Sequence, residues 1–234
     1  MAYQRQIPDQ ELFSAQLEML MQHGRIASMS ANLVGVLAYL LLLWPYFDAL
    51  NMLLWGFGLL TLLLLRSLHM SNGLATRAYQ NKPRSLFWWL IIGAALTGGW
   101  WSATFLYVLQ IVPATLEYVL LLVVVVIAAI SLAVMVVIRE YYLAFLFSSL
   151  LPIAWWSIVH PWDNPYSLLI GALTLGVAGL LMMASSGIHE MFKTMLSLSW
   201  QQESMSRELG QITNSLRDRN KQLREARQQL TDPA

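Results

Sequence analysis

Few side chains in this sequence are equipped for chemistry, and their spacing narrows the choice further. The chain has no cysteine, which excludes disulfides, thiolate nucleophiles and thiolate metal sites. Its four histidines, His23, His69, His160 and His189, are scattered rather than spaced as ligands, so metal chemistry is not expected. Inside the apolar segments the one candidate for ligand binding is the run Thr97, Gly98, Gly99, Trp100, Trp101 and Ser102. Adjacent glycines remove side chains beside two large indoles, which either lets helices approach closely or leaves a recess with an aromatic wall. Packing is the alternative to a ligand recess, because Ala94 with Gly98, Ala95 with Gly99 and Ala172 with Gly176 are small residues four apart. Two softer signals are the Asn32 amide and Pro152, which frees a carbonyl and makes either a hinge or a fixed kink.

An ionisable residue in mid-membrane would mark a proton path or substrate site, since burying charge in lipid is costly. The hydropathy pattern places Arg66, His69, Arg139, Glu140 and His189 at inner span ends and His160 at an outer one, leaving none in the middle. Transport coupled to protons or ions is therefore not expected, because such machines place their sites near the midplane.

The elements that must position these residues are membrane helices. With 57% hydrophobic residues, 12% charged and a mean hydropathy of +0.54, the chain is not a soluble domain, whose charged fraction would be about a quarter. A hydrocarbon core needs roughly 20 apolar residues per helix. Six candidates follow, near 28–45, 50–66, 86–109, 117–138, 142–159 and 167–185. The first 27 residues are too polar and acidic for a signal peptide. After Pro8 and Asp9, residues Leu12, Phe13, Leu17, Leu20 and Met21 form an apolar stripe. That segment is expected either to lie along the inner interface or to lead loosely into the first span.

All 14 Lys and Arg residues fall in the N-terminus, the second and fourth connections or the C-terminal helix, by this division of the chain. The remaining connections carry only Asp48, Glu117 and Asp163. The positive-inside rule then predicts both termini in the cytoplasm. Trp44, Tyr46, Phe47, Trp155, Trp156, Trp162 and Tyr166 near one face, and Phe87, Trp88 and Trp89 near the other, fit interfacial belts.

From about residue 186 the helix becomes polar and its apolar residues recur every seven positions. Leu209, Leu216, Leu223 and Leu230 alternate with Met205, Ile212 and Ala226, the seam of a coiled coil, and the register runs back through Leu198 and Met195. Gln202 and Arg219 interrupt this seam. Polar seam residues weaken a coil and fix its register, which suits a helix with two arrangements of similar energy; a passive dimerisation rod is the alternative. The modest basic excess from Arg217 to Arg227 reads as a solvated coil face, so no nucleic-acid partner is expected.

Three groups of residues carry a family resemblance. They are the basic connection Asn81, Lys82, Pro83 and Arg84; Gly98, Gly99, Trp100 and Trp101; and the passage from the sixth span into Ser199, Trp200, Gln201, Gln202 and Glu203 followed by repeated leucines. With this layout the chain resembles the six-span N-terminal sensor regions of bacterial diguanylate cyclases, and related regions front cyclic-di-GMP phosphodiesterases and sensor histidine kinases. In the cyclases a coiled helix leads to a GGDEF catalytic domain that opens with an Asp-Pro-Leu-Thr-Gly-Leu-like sequence. Leu230, Thr231, Asp232 and Pro233 look like the start of that opening, and Ala234 departs from it. No catalytic residue carries over. The resemblance implies a homodimer whose GTP and Mg belong only to an output domain beyond this chain, with no cofactor in the chain itself.

The expected fold class is an all-α membrane protein, a six-transmembrane-helix bundle continuing into a cytoplasmic coiled-coil signalling helix. Its expected divisions are a cytoplasmic N-terminal segment (1–27), the sensor bundle (28–185), the signalling helix (186–230) and the start of an output domain (231–234). The expected function is a sensory and dimerisation module of the bacterial inner membrane, responding to a lipid, a hydrophobic small molecule or a periplasmic cue. A histidine-kinase or phosphodiesterase input module is the alternative, and a small transporter or scaffold the alternative from another class.

Overall fold

The structure, a computed structural model, describes residues 9–160 and 166–231, with side chains from 10 to 160 and from 166 to 224. Arg5, Pro8, Trp162 and Asp163, the side chains of Ala226 and Leu230, and the 232–234 segment with Asp232 and Pro233 lie outside the described residues. Among those described there is no strand. The elements in order are α1 (Asp9–Leu43), α2 (Ala49–Ala75), α3 (Ala78–Asn81), α4 (Pro83–Val108), α5 (Ala114–Met135), α6 (Arg139–Val159) and α7 (Ser167–Thr231). Six of these, all but α3, are long and apolar enough to cross a membrane.

The chain divides into two compact units, one of Phe13–Met191 and a second that holds α7 from Phe192 onward. In the first unit α4 packs most extensively on α6, and it also touches α2, α3 and α5. Association of this kind rests on close packing and interhelical hydrogen bonds, since lipid tails are as apolar as the side chains that leave them.

Two helices are longer than the hydropathy pattern suggests, and the reason is the same in both. The apolar stripe before residue 28 is neither surface-bound nor loose, because α1 is a single helix and Leu17, Leu20 and Met21 are fully buried. That stripe continues through Gly24, Ser28, Asn32, Val36 and Tyr39 at steps of three and four, so one face stays in contact along the helix. At its early end Phe13 meets Phe87 edge-on, 5.5 Å between ring centroids. A Cβ on Gly73 would come within 3.1 Å of Met21 Sδ and 3.2 Å of Leu86, so the missing side chain is what lets α2 close on α1 and α4. The Tyr79 hydroxyl donates to Glu18 across 3.2 Å. Burial first, then the neighbouring Glu18 carboxylate, pushes the Tyr79 hydroxyl above the usual tyrosine range, with Arg77 working in the opposite direction.

Helix α2 likewise runs nine residues past Arg66, where hydropathy alone ends it. Its buried positions are Met52, Gly56, Leu59, Leu63, Arg66, Met70 and Gly73. These alternate steps of four and three, so Arg66 stands on the packing stripe. The turn into α3 places Arg77 in the left-handed region, φ 51°, and Pro83 opens α4 at a first-turn position, where its missing N–H is harmless. Helix α6 remains helical through Pro152.

Candidate functional site

The buried arginine is the first chemically distinctive feature of the bundle. Arg66 is 8% exposed, and its guanidinium donates to Ser28 Oγ on α1 at 3.1 Å, Thr97 Oγ1 on α4 at 3.4 Å, and the Tyr141 hydroxyl on α6. Its central carbon also lies 5.1 Å from the centre of the Tyr141 ring. Four helices are thereby tied to one cation. Burying an arginine away from water is costly, and hydroxyl acceptors with an aromatic face offset part of that. All three acceptors are neutral, so the positive charge itself stays uncompensated by them. Arg66 lies inside α2, which continues to Ala75, whereas the hydropathy pattern ends the second span at this residue.

A second polar set staples the bundle one to two turns further along. Trp101 Nε1 donates to Asn32 Oδ1 at 2.8 Å, while Asn32 Nδ2 donates to the Ser28 carbonyl at 2.8 Å. Both residues are fully buried. Trp101 meets Tyr39 and Trp55 edge-on, with centroids 5.1 and 6.0 Å apart. Trp55 Nε1 donates to Thr104 at 2.8 Å and the Tyr39 hydroxyl to the Leu120 carbonyl at 3.2 Å, so α1, α2, α4 and α5 share one aromatic cluster. The Asn32 amide is a structural partner of the indole.

The candidate recess residues disperse around α4, as consecutive helical residues must. Thr97 is buried, bonded to the Gly93 carbonyl and to Arg66. At Gly98 a Cβ would fall 2.2 Å from Ser148 Oγ and 2.5 Å from the Phe145 carbonyl, so this glycine is a contact point with α6 and leaves no space for a ligand. Gly99 faces open space. Trp100 lies over Gly58 of α2, with its indole N–H buried and without a hydrogen-bond partner, whereas Trp101 belongs to the aromatic cluster. Ser102 donates to the Gly99 carbonyl at 3.1 Å.

Space for a ligand occurs elsewhere, where the end of α4, the start of α5, the end of α6 and the start of α7 meet. One cavity of about 360 Å³ is lined by Gln110, Glu117, Tyr118, Trp156, Ser157, His160 and Ser167 among others. An adjoining groove of about 460 Å³ between α5 and α7 is lined by Leu122, Val125, Tyr166, Leu169, Leu173 and Val177. Tyr118, Leu121 and Ile170 line both. The His160 ring stacks on Trp156 at 3.8 Å, and Ser167 donates to the Ser157 carbonyl at 2.6 Å, which fixes the first turn of α7 against the end of α6. A polar chamber continued by an apolar groove suits an amphiphile, its head among Gln110, Glu117 and His160 and its tail along α5 and α7. Sequence reading assigns Trp156 to an interfacial belt and His160 to a span end, and misses that four span ends converge there. The available signal was polar Gln110, Glu117 and His160 at ends that alternation places on one side.

The seam residues lie on the second unit. Met195, Leu198, Met205, Leu209, Ile212, Leu216 and Leu223 are all more than half exposed, from 55% to 68%. Gln202 and Arg219 are exposed on the same row. Among the described residues no group of His, Cys, Asp and Glu is placed to hold a metal ion. No family model matches the chain, and no curated protein or solved structure matches it.

Proposed function

We propose that this chain is the membrane-embedded sensory and dimerisation module of a signalling protein, with a diguanylate cyclase as the output it regulates. The observation that carries this reading is that α7 lines the ligand cavity through Ser167, Ile170 and Leu173 and, further along the same helix, presents an exposed apolar row at heptad spacing. An isolated chain gains nothing from such a row. Two copies would bury it as a parallel coil. The residues that resemble cyclase sensor regions support the choice of output, and GTP and Mg belong to that output domain.

In this reading the membrane is the bacterial inner membrane, with both ends of the chain in the cytoplasm. A membrane-soluble amphiphile binds better to one arrangement of the first turns of α7 than to another, and that difference in affinity sets how far the equilibrium shifts. A helix is stiff, so rotation or sliding at Ile170 reappears in the heptad row. Gln202 and Arg219 keep the two coil arrangements within a few kcal/mol of each other.

The test places the chain ahead of a diguanylate cyclase domain and fills the cavity with Ile170→Trp or Leu121→Trp. Cyclic-di-GMP output is expected to change by about fivefold or more in these variants. Equal output from the parent and from every cavity and seam variant defeats the proposal; a response carried only by a kinase or phosphodiesterase domain reassigns the output. Buried Arg66 favours a second reading, an anion transporter. That reading requires Arg66-dependent anion flux into sealed vesicles holding the chain, a measurement on which the receptor reading expects none.

A further inference from the structure

We propose that the chamber where α4, α5, α6 and α7 meet selects amphiphiles with a cationic ammonium head, held by Glu117 and the faces of aromatic rings. The inference rests on the ligand cavity of the proposed function and names the chemistry of its occupant. Among the described residues that line the chamber, Glu117 is the one carboxylate, and no Lys or Arg accompanies it. A carboxylate or phosphate head entering there would meet a like charge with no cation to offset it. The neighbouring connections add none, since 44–48 and 109–113 hold no Lys or Arg, nor does the 160–166 stretch of the sequence. Phe47 lies beside Tyr107, 6.1 Å between ring centroids, so the first of these connections is at the same end as the close of α4.

The hydrogen-bond inventory of the chamber points the same way. The Ser157 hydroxyl donates to the Ile153 carbonyl at 3.0 Å, and the Ser167 hydroxyl to the Ser157 carbonyl at 2.6 Å. His160 Nδ1 lies 3.3 Å from the Trp156 carbonyl. A carbonyl only accepts, so Nδ1 carries the proton of the neutral ring and Nε2 is left as an acceptor. Three donors of the chamber are thus spent on the backbone, and an anion needs donors. The remaining donor groups, Gln110 and Tyr118, are neutral. What the chamber offers a head is a carboxylate, further acceptors and the rings of Phe105, Tyr118 and Trp156, whose faces attract cations. Glu117 stands in the first turn of α5, where the N-terminal peptide dipoles favour its negative charge. The volume of about 360 Å³ is far above the roughly 10–15 Å³ that admits one water, and the apolar groove of α5 and α7 takes the chain.

The experiment uses the full chain in nanodiscs of zwitterionic lipid, offered dodecyltrimethylammonium, dodecanoate or dodecanol at equal concentration. Bound amphiphile is counted by native mass spectrometry, with empty nanodiscs as background. The parent is expected to hold the ammonium at least about fivefold better than the other two, and Glu117→Gln to lose that preference while still holding dodecanol. Glu117→Asp keeps the charge and is expected to keep the preference. Comparing heads within one variant separates a lost preference from a lost fold, because a misfolded chain loses all three. Dodecanoate or dodecanol held by the parent as well as the ammonium overturns the choice of head and leaves the cavity standing, and so does a preference that Glu117→Gln does not change. Binding that Ile170→Trp leaves intact places the amphiphile outside the cavity and overturns this inference together with the sensing site it rests on.

Discussion

Asn32 shows what a single polar residue does inside this bundle. Its amide accepts the Trp101 indole and donates to the Ser28 carbonyl, with both residues sealed from solvent. Replacing it by leucine leaves the indole N–H buried and unpaired, a loss of about 1–2 kcal/mol by the measured range for interhelical bonds in membranes and for orphaned donors. Asn32→Leu should lower stability by that amount in a reversible unfolding titration in mixed detergent. Adding Trp101→Phe should then cost less than the sum of the two single changes, because the orphan disappears with the donor. Strict additivity would show that the bond is not what Asn32 contributes. At this scale the sequence was partly legible. Asn32 stood out as an amide in an apolar run, but its partner is 69 positions away, and no local pattern announces such a pair. Arg66 was visible, but a hydropathy window ends the helix at the charge and is blind to the steps from Leu59 to Leu63, Arg66, Met70 and Gly73 that put it on the packing face.

At the scale of elements the paired glycines of α4 separate packing from recess. A side chain at Gly98 meets the backbone carbonyl of Phe145 and Ser148 Oγ, at distances no rotamer relieves, so α4 must move off α6. At Gly99 nothing stands within 4 Å. Gly98→Leu is expected to destabilise the bundle by about 3 kcal/mol or more, the upper range of overpacking, and Gly99→Leu to be tolerated within about 0.5 kcal/mol. Their unfolding midpoints and elution profiles in detergent test this, and similar behaviour of the two variants would remove Gly98 from the α4 and α6 contact. Six apolar helices were readable from hydropathy because each must satisfy its own backbone in lipid. Their ends were not readable, since polar residues such as Glu18 and Arg66 continue a helix when a neighbouring helix supplies the partner. The cavity between the ends of α4, α5, α6 and α7 was illegible for a related reason. It is made by the ends of four helices, and sequence order does not reveal which ends converge.

For the whole molecule the proposal turns on whether two copies associate. Seven apolar side chains between Met195 and Leu223 stand more than half exposed along one row of α7. In the proposed dimer, full burial of a leucine or isoleucine would contribute about 1.5–3 kcal/mol, and a row of this length would offset the entropy lost in association. Gln202 and Arg219, exposed on the same row, would reduce that stability. Changing Leu209 and Leu216 to glutamate places like charges across the seam in both copies, and the dimer is expected to weaken by more than about a hundredfold. Analytical ultracentrifugation in density-matched detergent reads this directly. The bundle of Phe13–Met191 should keep its thermal midpoint in the variant, since it is a compact unit by itself. The opposite change, Gln202→Leu with Arg219→Leu, should tighten the dimer and hold a fused cyclase at one level of output whether or not the cavity is filled. A dimer that ignores the glutamates would place the interface elsewhere, and a regulated output from the leucine variant would make the row a rod that joins two chains without carrying a signal.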